Sequence, residues 1–379
     1  MANITGMRNS ENVFASRKVV DMADKIAMLD PNDGPFLTFL KQMKGGKREV
    51  FNPRFHWLED DLLGATTKVA TAISSAAATS LVVEDGTIVR VGDIINIPAV
   101  GENMMVTAVS GNTLTVTRGY GSVAAAAAIA QGAVVEIIGN AQAEGAKLRE
   151  VKSKDETDCY NLTQIFRTPI SLSGTEEQMK LYGGQDRAYQ RRKALLEHKR
   201  DIAKSLYFGQ RKQVGTTRTM GGLVEFIGAA NTTAFDDAEN PLTYANFNKM
   251  AEAAFRHGGS EKVMLAGPKM VAAIDSWGIE GIMTKPDVKA TYGINVKKLI
   301  TSFGILNVIY DPLLTAGYAD RAFIVDPGNI RYAYLKARDT KLLTDRQDND
   351  MDAVVDEYMT ECSLEVKLPS THHMIVGAY

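Results

Sequence analysis

The chain is short of the features that mark the commonest functional classes. Two cysteines in 379 residues are too few for a disulfide framework, and neither Cys159 nor Cys362 has neighbours at the CxxC or Cys/His spacings that hold zinc. They read as free thiols in a reducing compartment. An excess of one charge is also missing: Lys+Arg 43 against Asp+Glu 45 leaves a formal net charge of -2. That balance gives no electrostatic footprint for nucleic acid or anionic lipid as the main partner. No stretch approaches the roughly 18 apolar residues of a membrane span, and "MANITGMRNSENVFASRKVV" has no apolar signal-peptide core. The chain is expected to be made in the cytoplasm and to meet no membrane.

Catalytic signatures are lacking too. There is no GxxxxGK[ST] phosphate loop, no GxGxxG opening a helix after a strand, and no GxSxG elbow. His372 and His373 are adjacent, so on a strand they point to opposite faces and do not share one metal. They are expected as an exposed pair near the end of the chain. In "DRQDNDMD", Asp345, Asp348, Asp350 and Asp352 lack the glycine and distal glutamate of a calcium loop, and a solvated acidic loop is expected. Cys159 has no base nearby in sequence, and Trp57 and Trp277 read as packing residues rather than stacking platforms. No catalytic residue, cofactor-binding residue, metal ligand or cofactor is assigned.

What is present is a distinctive order of segments. Residues 1–46 read as an arm. Val19, Val20, Met22, Ala23, Ile26 and Ala27 mark a short amphipathic helix behind Ser16, "LDPNDGP" breaks it, and "FLTFLKQM" adds a second apolar patch. In "KREVFNPRFHWLEDD", 47–61, Phe51, Phe55 and Trp57 fall on one face of an extended segment, with Pro53 as an edge mark. From about Thr66 to Gly139 charge nearly vanishes, and "SLVV", "DIINIP", "NMMVTAV", "TLTVT" and "AVVEII" recur at spacings that predict a small barrel or sandwich. Within it "AVSGNTLTVTRGYG" reads as a hairpin turning at Ser110 to Asn112, and Ala124 to Ala128 as a helical turn or two. Charge returns in the extended stretch 146–174, where Pro169 is another edge mark. The hairpin module is therefore expected at the tip of a two-stranded ribbon, 47–61 going out and 147–172 coming back.

Residues 185–208, "QDRAYQRRKALLEHKRDIAKSLYF", contain no Pro or Gly and predict an unbroken helix of on the order of 35 Å. Ala188, Leu195, Ile202 and Leu206, joined by Leu196 and Ala203, give a narrow apolar stripe, while Arg187, Arg191, Arg192, Lys193, Lys199 and Arg200 crowd the remainder. The interleaved Glu197 and Asp201 read as intrahelical partners, which favours a solvated or subunit-facing surface over nucleic acid. From 217 the pattern is α/β: helices in "YANFNKMAEAAFRHG" and "PKMVAAIDSWG", strands in "KVMLAG", "ILNVIYD" and "DRAFIVD". The end is strand-rich, and Glu361 to Leu368 alternates as a half-buried antiparallel strand should.

The order of these parts resembles the major capsid proteins of tailed bacteriophages with the Hong Kong 97-type coat fold. "DMADKIAMLDPNDGPFLTFL" is similar to that family's opening segment. "NLTQIFRTPISLSGTEEQM" with "AYQRRKALLEHKRDIAKSLYFG" is similar to the return strand and spine helix of one subgroup. "RTMGGLVEFI" is similar to its entry to the axial domain, and "YMTECSLEVKLPSTHHMIVG" to its closing strand. The departure is the inserted module, longer than the plain extended loop of the simplest members.

The resemblance implies an α+β coat fold. Its parts would be an N-terminal arm over 1–46, an extended β-ribbon loop over 47–65 and 140–174, a small barrel-like all-β insertion at 66–139, the spine helix within 175–216, an α/β axial domain over 217–340, and a closing β segment of the peripheral domain at 341–379. It implies a structural protein, not an enzyme, that self-assembles into hexamers and pentamers of an icosahedral head around double-stranded DNA, made in the host cytoplasm and resident in the virion capsid. The implied partners are further copies of itself, a portal, packaged DNA touched weakly and without sequence preference, and in some heads a decoration protein. The start at Met1, directly before the arm, adds the expectation of a separate scaffolding protein. Expected intersubunit contacts are Arg48, Arg54, Trp57, Glu59, Arg149, Lys152, Lys154, Arg191 and Arg192. A decoration or tail protein and an α/β enzyme are the competing readings. The long helix argues against the first, and a pocket of convergent titratable groups would mark the second.

Overall fold

"KVMLAG" forms strand Glu261–Ala266, and its unbroken apolar run has a simple cause: both faces of the strand are covered. Val263 and Leu265 pack with Ile202, Ala203 and Leu206 of the long helix, while Met264 and Ala266 pack with Phe247, Met250 and Met270. The computed structural model describes residues 34–180, 185–236, 239–279, 284–286 and 296–377. The chain divides into two compact units, Leu58–Asp158 and the body formed by Met1–Trp57 with Cys159–Tyr379.

At the centre of the body is a seven-stranded sheet in the order Thr232–Ala234, His373–Val376, Ala322–Val325, Glu261–Ala266, Ile305–Tyr310, Val296–Ile300, Thr284–Pro286. Glu261–Ala266 runs parallel to Ile305–Tyr310, a pairing that needs a crossover. Helix Pro268–Ile279 lies within that connection and opens on Pro268, where a missing N–H costs nothing. A second, five-stranded sheet takes Lys47–Val50, Ile330–Leu335, Ala353–Val366 and Gln164–Ser173 in that order, with Lys341–Leu343 also on Ala353–Val366. Gln164–Ser173 is an edge strand, as Pro169 within it requires.

The predicted long helix is present without a break as Asp186–Phe208, 23 residues. Its buried line differs from the expected stripe: Ala194, His198, Ile202, Ala203, Leu206 and Tyr207 are buried, whereas Ala188 is exposed and Leu195 and Leu196 only half-buried. His198 belongs to the line because Thr168 Oγ1 at 2.9 Å and Thr360 Oγ1 at 2.7 Å satisfy both ring nitrogens. "FLTFLKQM" supplies helix Pro35–Gln42, which buries Phe36, Leu37, Phe39 and Leu40. Each such side chain contributes about 1.5–3 kcal/mol, enough to hold a helix too short to be stable alone. Asp311 fixes its start, accepting from Tyr207 Oη at 2.6 Å, from Leu313 N–H at 2.8 Å and from Phe36 N–H. The amphipathic helix expected at 19–27 lies outside the described residues.

The unit Leu58–Asp158 is a six-stranded antiparallel sheet ordered Thr66–Lys68, Val134–Asn140, Asp93–Ile97, Glu102–Ser110, Thr113–Thr117, Ser80–Val82. A Val69 to Val83 bridge joins its first and last strands, with Ala70 N–H on Val82 O at 2.8 Å and Glu84 N–H on Lys68 O at 2.9 Å. The sheet is thereby closed into a barrel. Leu114 and Val116 point into its core while Thr113, Thr115 and Thr117 stay outside, the alternation that the sequence shows. The hairpin turns at Gly111, whose φ is +58°. Ala124–Ala128 is not helical. Its backbone is instead pinned by a buried ion pair: Glu102 binds Arg118 at 2.7 Å and accepts from Ala126 N–H at 2.9 Å, while Arg118 donates to Ala126 O at 2.8 Å. Burial pushes the Glu102 carboxyl up, but Arg118 and the Ala126 and Gly119 N–H groups outweigh it and hold it below its ordinary range.

The ribbon is shorter than the sequence reading. Only Arg54–Glu59 and Thr157–Leu162 pair as a two-stranded sheet. Lys47–Val50 and Gln164–Ser173 are claimed by the five-stranded sheet, which offers them a full ladder of partners. Phe51 accordingly sits in the bend before Arg54 and is exposed, while Phe55 and Trp57 are buried with Val50 and Ala333.

Candidate assembly surfaces

The expected contact residues sort by where their charges are spent, and the strand Ala353–Val366 spends several of them. Its Glu361–Val366 part alternates in sequence, yet it is buried on both faces, which corrects the half-buried expectation. Burying carboxylates is expensive unless each is paired. On one face Asp356 accepts from Arg187 Nε and Nη2, both at 2.9 Å, and from Arg191 Nε at 2.8 Å. Both arginines continue the buried line of the long helix toward its N-terminal end. The hydrogen bonds from Arg187 and Arg191 hold the Asp356 carboxyl far below its usual range, outweighing the burial that would raise it.

The other face carries Glu357, Glu361 and Glu365 at four-residue intervals, all buried, with roughly 13 Å between successive carboxylates along a strand. Glu357 is clasped by Arg167 through two nitrogens. Glu361 takes Thr163 Oγ1 at 2.8 Å, Arg218 at 3.1 Å and Arg338 at 2.7 Å. Glu365 takes Arg48 at 2.7 Å and Lys367 at 3.3 Å. Cys362 lies on the Asp356 face, where burial pushes its thiol up to about 12; it is a packing residue. Cys159 is half-buried against the Phe55 and Trp57 cluster.

Among the residues expected at intersubunit contacts, Arg48 and Arg191 therefore hold intrachain carboxylates. Arg54 stacks over the Tyr160 ring with its guanidinium carbon 3.9 Å from the centroid. Trp57 is buried, its ring 5.8 Å from those of both Phe55 and Phe226, and Glu59 ends its strand half-buried. On the barrel unit Arg149 binds Asp93 at 2.9 Å, Lys152 donates to Thr87 O at 3.2 Å and Val89 O at 2.9 Å, and Lys154 binds Asp61 at 3.2 Å. Arg192 is exposed and has no ion pair with any described residue.

Sequence reasoning missed two things. His372 and His373 are buried rather than exposed: Asp326 N–H donates to His372 Nδ1 at 3.2 Å, and His373 Nε2 meets Thr233 Oγ1 at 2.8 Å. Burial lowers both to about 4. Their signal was "MIVG" directly after them, which makes the pair the start of a core strand. The second is an outward apolar set on backbone that belongs to no strand. In 60–64 and 141–156 no strand forms, yet Leu62 is 88%, Leu148 101% and Val151 90% exposed. Arg149 and Lys152, turned inward to the barrel, fix that polarity. Among the described residues no group of His, Cys, Asp or Glu could hold a metal ion, and none of their helices is long and apolar enough to cross a membrane.

The family model described as SU10 major capsid protein matches residues 3–379 of the chain. The chain belongs to the SU10 major capsid protein family. It is a structural coat protein of a phage, not an enzyme, and its place is the virion capsid. The major capsid protein of Pseudomonas phage PaMx41 is 27% identical over 290 residues, 72% of this chain and 69% of that one. Solved structures confirm the α+β coat fold. The capsid of a native GTA particle, computed with C5 symmetry, has a TM-score of 0.52 at 10% identity and covers 98% of each chain. Mycobacterium phage Bobi gives a TM-score of 0.51 at 10% identity, covering 98% of this coat protein and 99% of that chain.

Proposed function

We propose that this coat protein builds the hexamers and pentamers of an icosahedral head around double-stranded DNA, and that the segments flanking the barrel are the parts that reach a neighbouring copy. The observation that carries the reading is the outward trio Leu62, Leu148 and Val151 on backbone outside any strand. Apolar side chains so placed gain about 1.5–3 kcal/mol each when covered, and closed shells repeat one such contact around every subunit. In this reading 1–46 is the arm, the paired strands Arg54–Glu59 and Thr157–Leu162 with the segments around the barrel are the extended loop, 66–139 is its insertion and Asp186–Phe208 the spine. The seven-stranded sheet, which takes in His373–Val376, is the axial domain, and the five-stranded sheet, which takes in Ile330–Leu335 and Ala353–Val366, belongs to the peripheral domain, so the bounds expected at 217–340 and 341–379 give way to the sheets. Arg54, Glu59, Arg149, Lys152, Lys154 and Arg192 border the contacts. Arg48, Trp57 and Arg191 act one step back, shaping the segments that make them. A scaffolding protein, a portal and, in some heads, a decoration protein complete the partners.

The test is the double substitution Leu148→Asp with Val151→Asp. Electron microscopy should find no shells, while thermal melting of the subunit stays within about 0.5 kcal/mol of the parent, as for other exposed positions. Normal shells from this variant would sink the assignment of the contact.

A further inference from the structure

The long helix has a solvent side that no described residue uses. Arg192, Lys193, Arg200 and Lys204 are exposed, and none forms an ion pair or hydrogen bond with a described residue. Several other arginines of the chain are held by carboxylates. Arg187 and Arg191 of the same helix are spent on Asp356, and Arg48, Arg118, Arg211 and Arg218 each close on a carboxylate. Glu197 and Asp201, which the sequence offers as neutralising partners, make no ion pair with the row either. On the outward line three cations, Lys193, Arg200 and Lys204, therefore stand against two carboxylates, with Arg192 exposed to one side of it.

At 1.5 Å per residue Lys193 and Arg200 stand about 10 Å apart and Arg200 and Lys204 about 6 Å apart, opposite the buried Ile202 line. We infer that this row is where the shell meets packaged nucleic acid, with the lysines and arginines lying against phosphates. Two arguments select a polyanion over a protein partner. Interfaces between proteins take their cores from apolar and aromatic residues and are depleted in lysine, whereas Lys193, Glu197, Arg200, Asp201 and Lys204 place no apolar side chain on the outward line. A nucleic acid strand presents a charge about every 3.4 Å of axis, so a row of flexible cations needs no matched surface to engage it. The near-neutral chain as a whole keeps such contacts weak and releasable. The inference rests on the reading that the shell encloses DNA, and names the face that does so.

The experiment compares the full-length parent with the triple variant Lys193→Ala, Arg200→Ala, Lys204→Ala, and with a control in which the exposed Lys212 and Lys341 are replaced by alanine. Two quantities are read: shell formation by electron microscopy, and affinity for a mixed-sequence duplex of about 30 bp between about 50 and 200 mM salt. Each phosphate contact contributes about 0.9 to the slope of log K on log salt. The triple variant should form shells, and its slope should fall by about 2–3 while the control keeps the parent's. An unchanged slope with normal shells overturns the inference and leaves the shell reading intact. An unchanged slope with shells lost overturns it in favour of a contact with an acidic segment of another copy. A parent that forms no shells, alone or co-expressed with a scaffolding protein, would defeat the shell reading itself.

Discussion

In the barrel the buried carboxylates find partners at short range, Glu102 with Arg118, 16 positions away, and Asp93 with Arg149, 56 positions away, around an apolar core led by Leu81, Ile95, Ile97, Met104 and Leu114. In the body the buried charges span the chain: Arg187 meets Asp356 across 169 positions, Thr163 meets Glu361 across 198, and Arg48 meets Glu365 across 317. Polar burial thus serves two ends. In the barrel one ion pair fastens a loop that alternation of apolar residues cannot place. In the body a series of ionic clasps decides which distant segments share a sheet, and the apolar clusters fill in around them.

The sharpest way to break this comparison is Glu102→Ala. It strands the buried Arg118 and the Gly119 and Ala126 N–H groups, and should cost the barrel about 3–5 kcal/mol. Limited proteolysis should then cut within 58–158 while the body resists; uniform cutting would mean that the two units stand or fall together. Asp356→Asn is the counterpart in the body. About 2–3 kcal/mol is expected, less than for a fully buried pair, because Arg187 and Arg191 keep 25% and 29% of their side chains in solvent. The loss should appear in denaturant melting of the body and leave barrel proteolysis unchanged.

Mild acid separates the units without mutation. All five histidines, His56, His198, His257, His372 and His373, lie outside 58–158. His372 and His373 are lowered to about 4 by burial, with Lys262 nearby opposing their charge and Asp326 favouring that of His372. As pH falls below the ordinary value of 6.5 the unfolded chain takes protons first, so the body should lose stability progressively between 6.5 and about 4. For each such histidine, a tenfold weaker hold on the proton in the folded chain corresponds to about 1.4 kcal/mol. The barrel should begin to weaken only as pH enters the ordinary carboxylate range near 4.5, where the unfolded chain protonates Glu102 before the folded one does. A barrel that melts first on titration from pH 7 to 5 would contradict this. The smallest effect is expected from Gly111→Ala. The added methyl meets no atom within 4 Å, so only the positive φ penalises it, by about 1 kcal/mol, seen as a slightly lower barrel midpoint.

The same division explains what could be read from sequence. The barrel strands, the hairpin, the long helix and the buried central strand were legible because each follows from a local period: two for a strand with one wet face, 3.6 for a helix, none for a strand covered twice. Ala124–Ala128 misled because alanine propensity is weaker than the hold of Glu102 and Arg118 on its backbone. Arg187, Arg191, Glu361 and Glu365 look like solvent-facing charges until Asp356, Thr163, Arg218 and Arg48, each more than a hundred positions from its partner, are brought to them. The outward Leu62, Leu148 and Val151 carried no period at all, so the exposed surface most relevant to assembly was the least legible part.

The Val69 to Val83 bridge that closes the barrel has a further consequence. Coat subunits must accumulate at high local concentration before they are built into a shell, and any open sheet margin is then a template for adding a strand from the next molecule. The barrel has no such margin, and the outer strand Gln164–Ser173 of the body interrupts its own with Pro169. Backbone-driven fibre growth, which could run on without limit, is thereby disfavoured at the barrel and at that outer strand, and contacts made there fall to side chains, whose geometry sets where assembly stops.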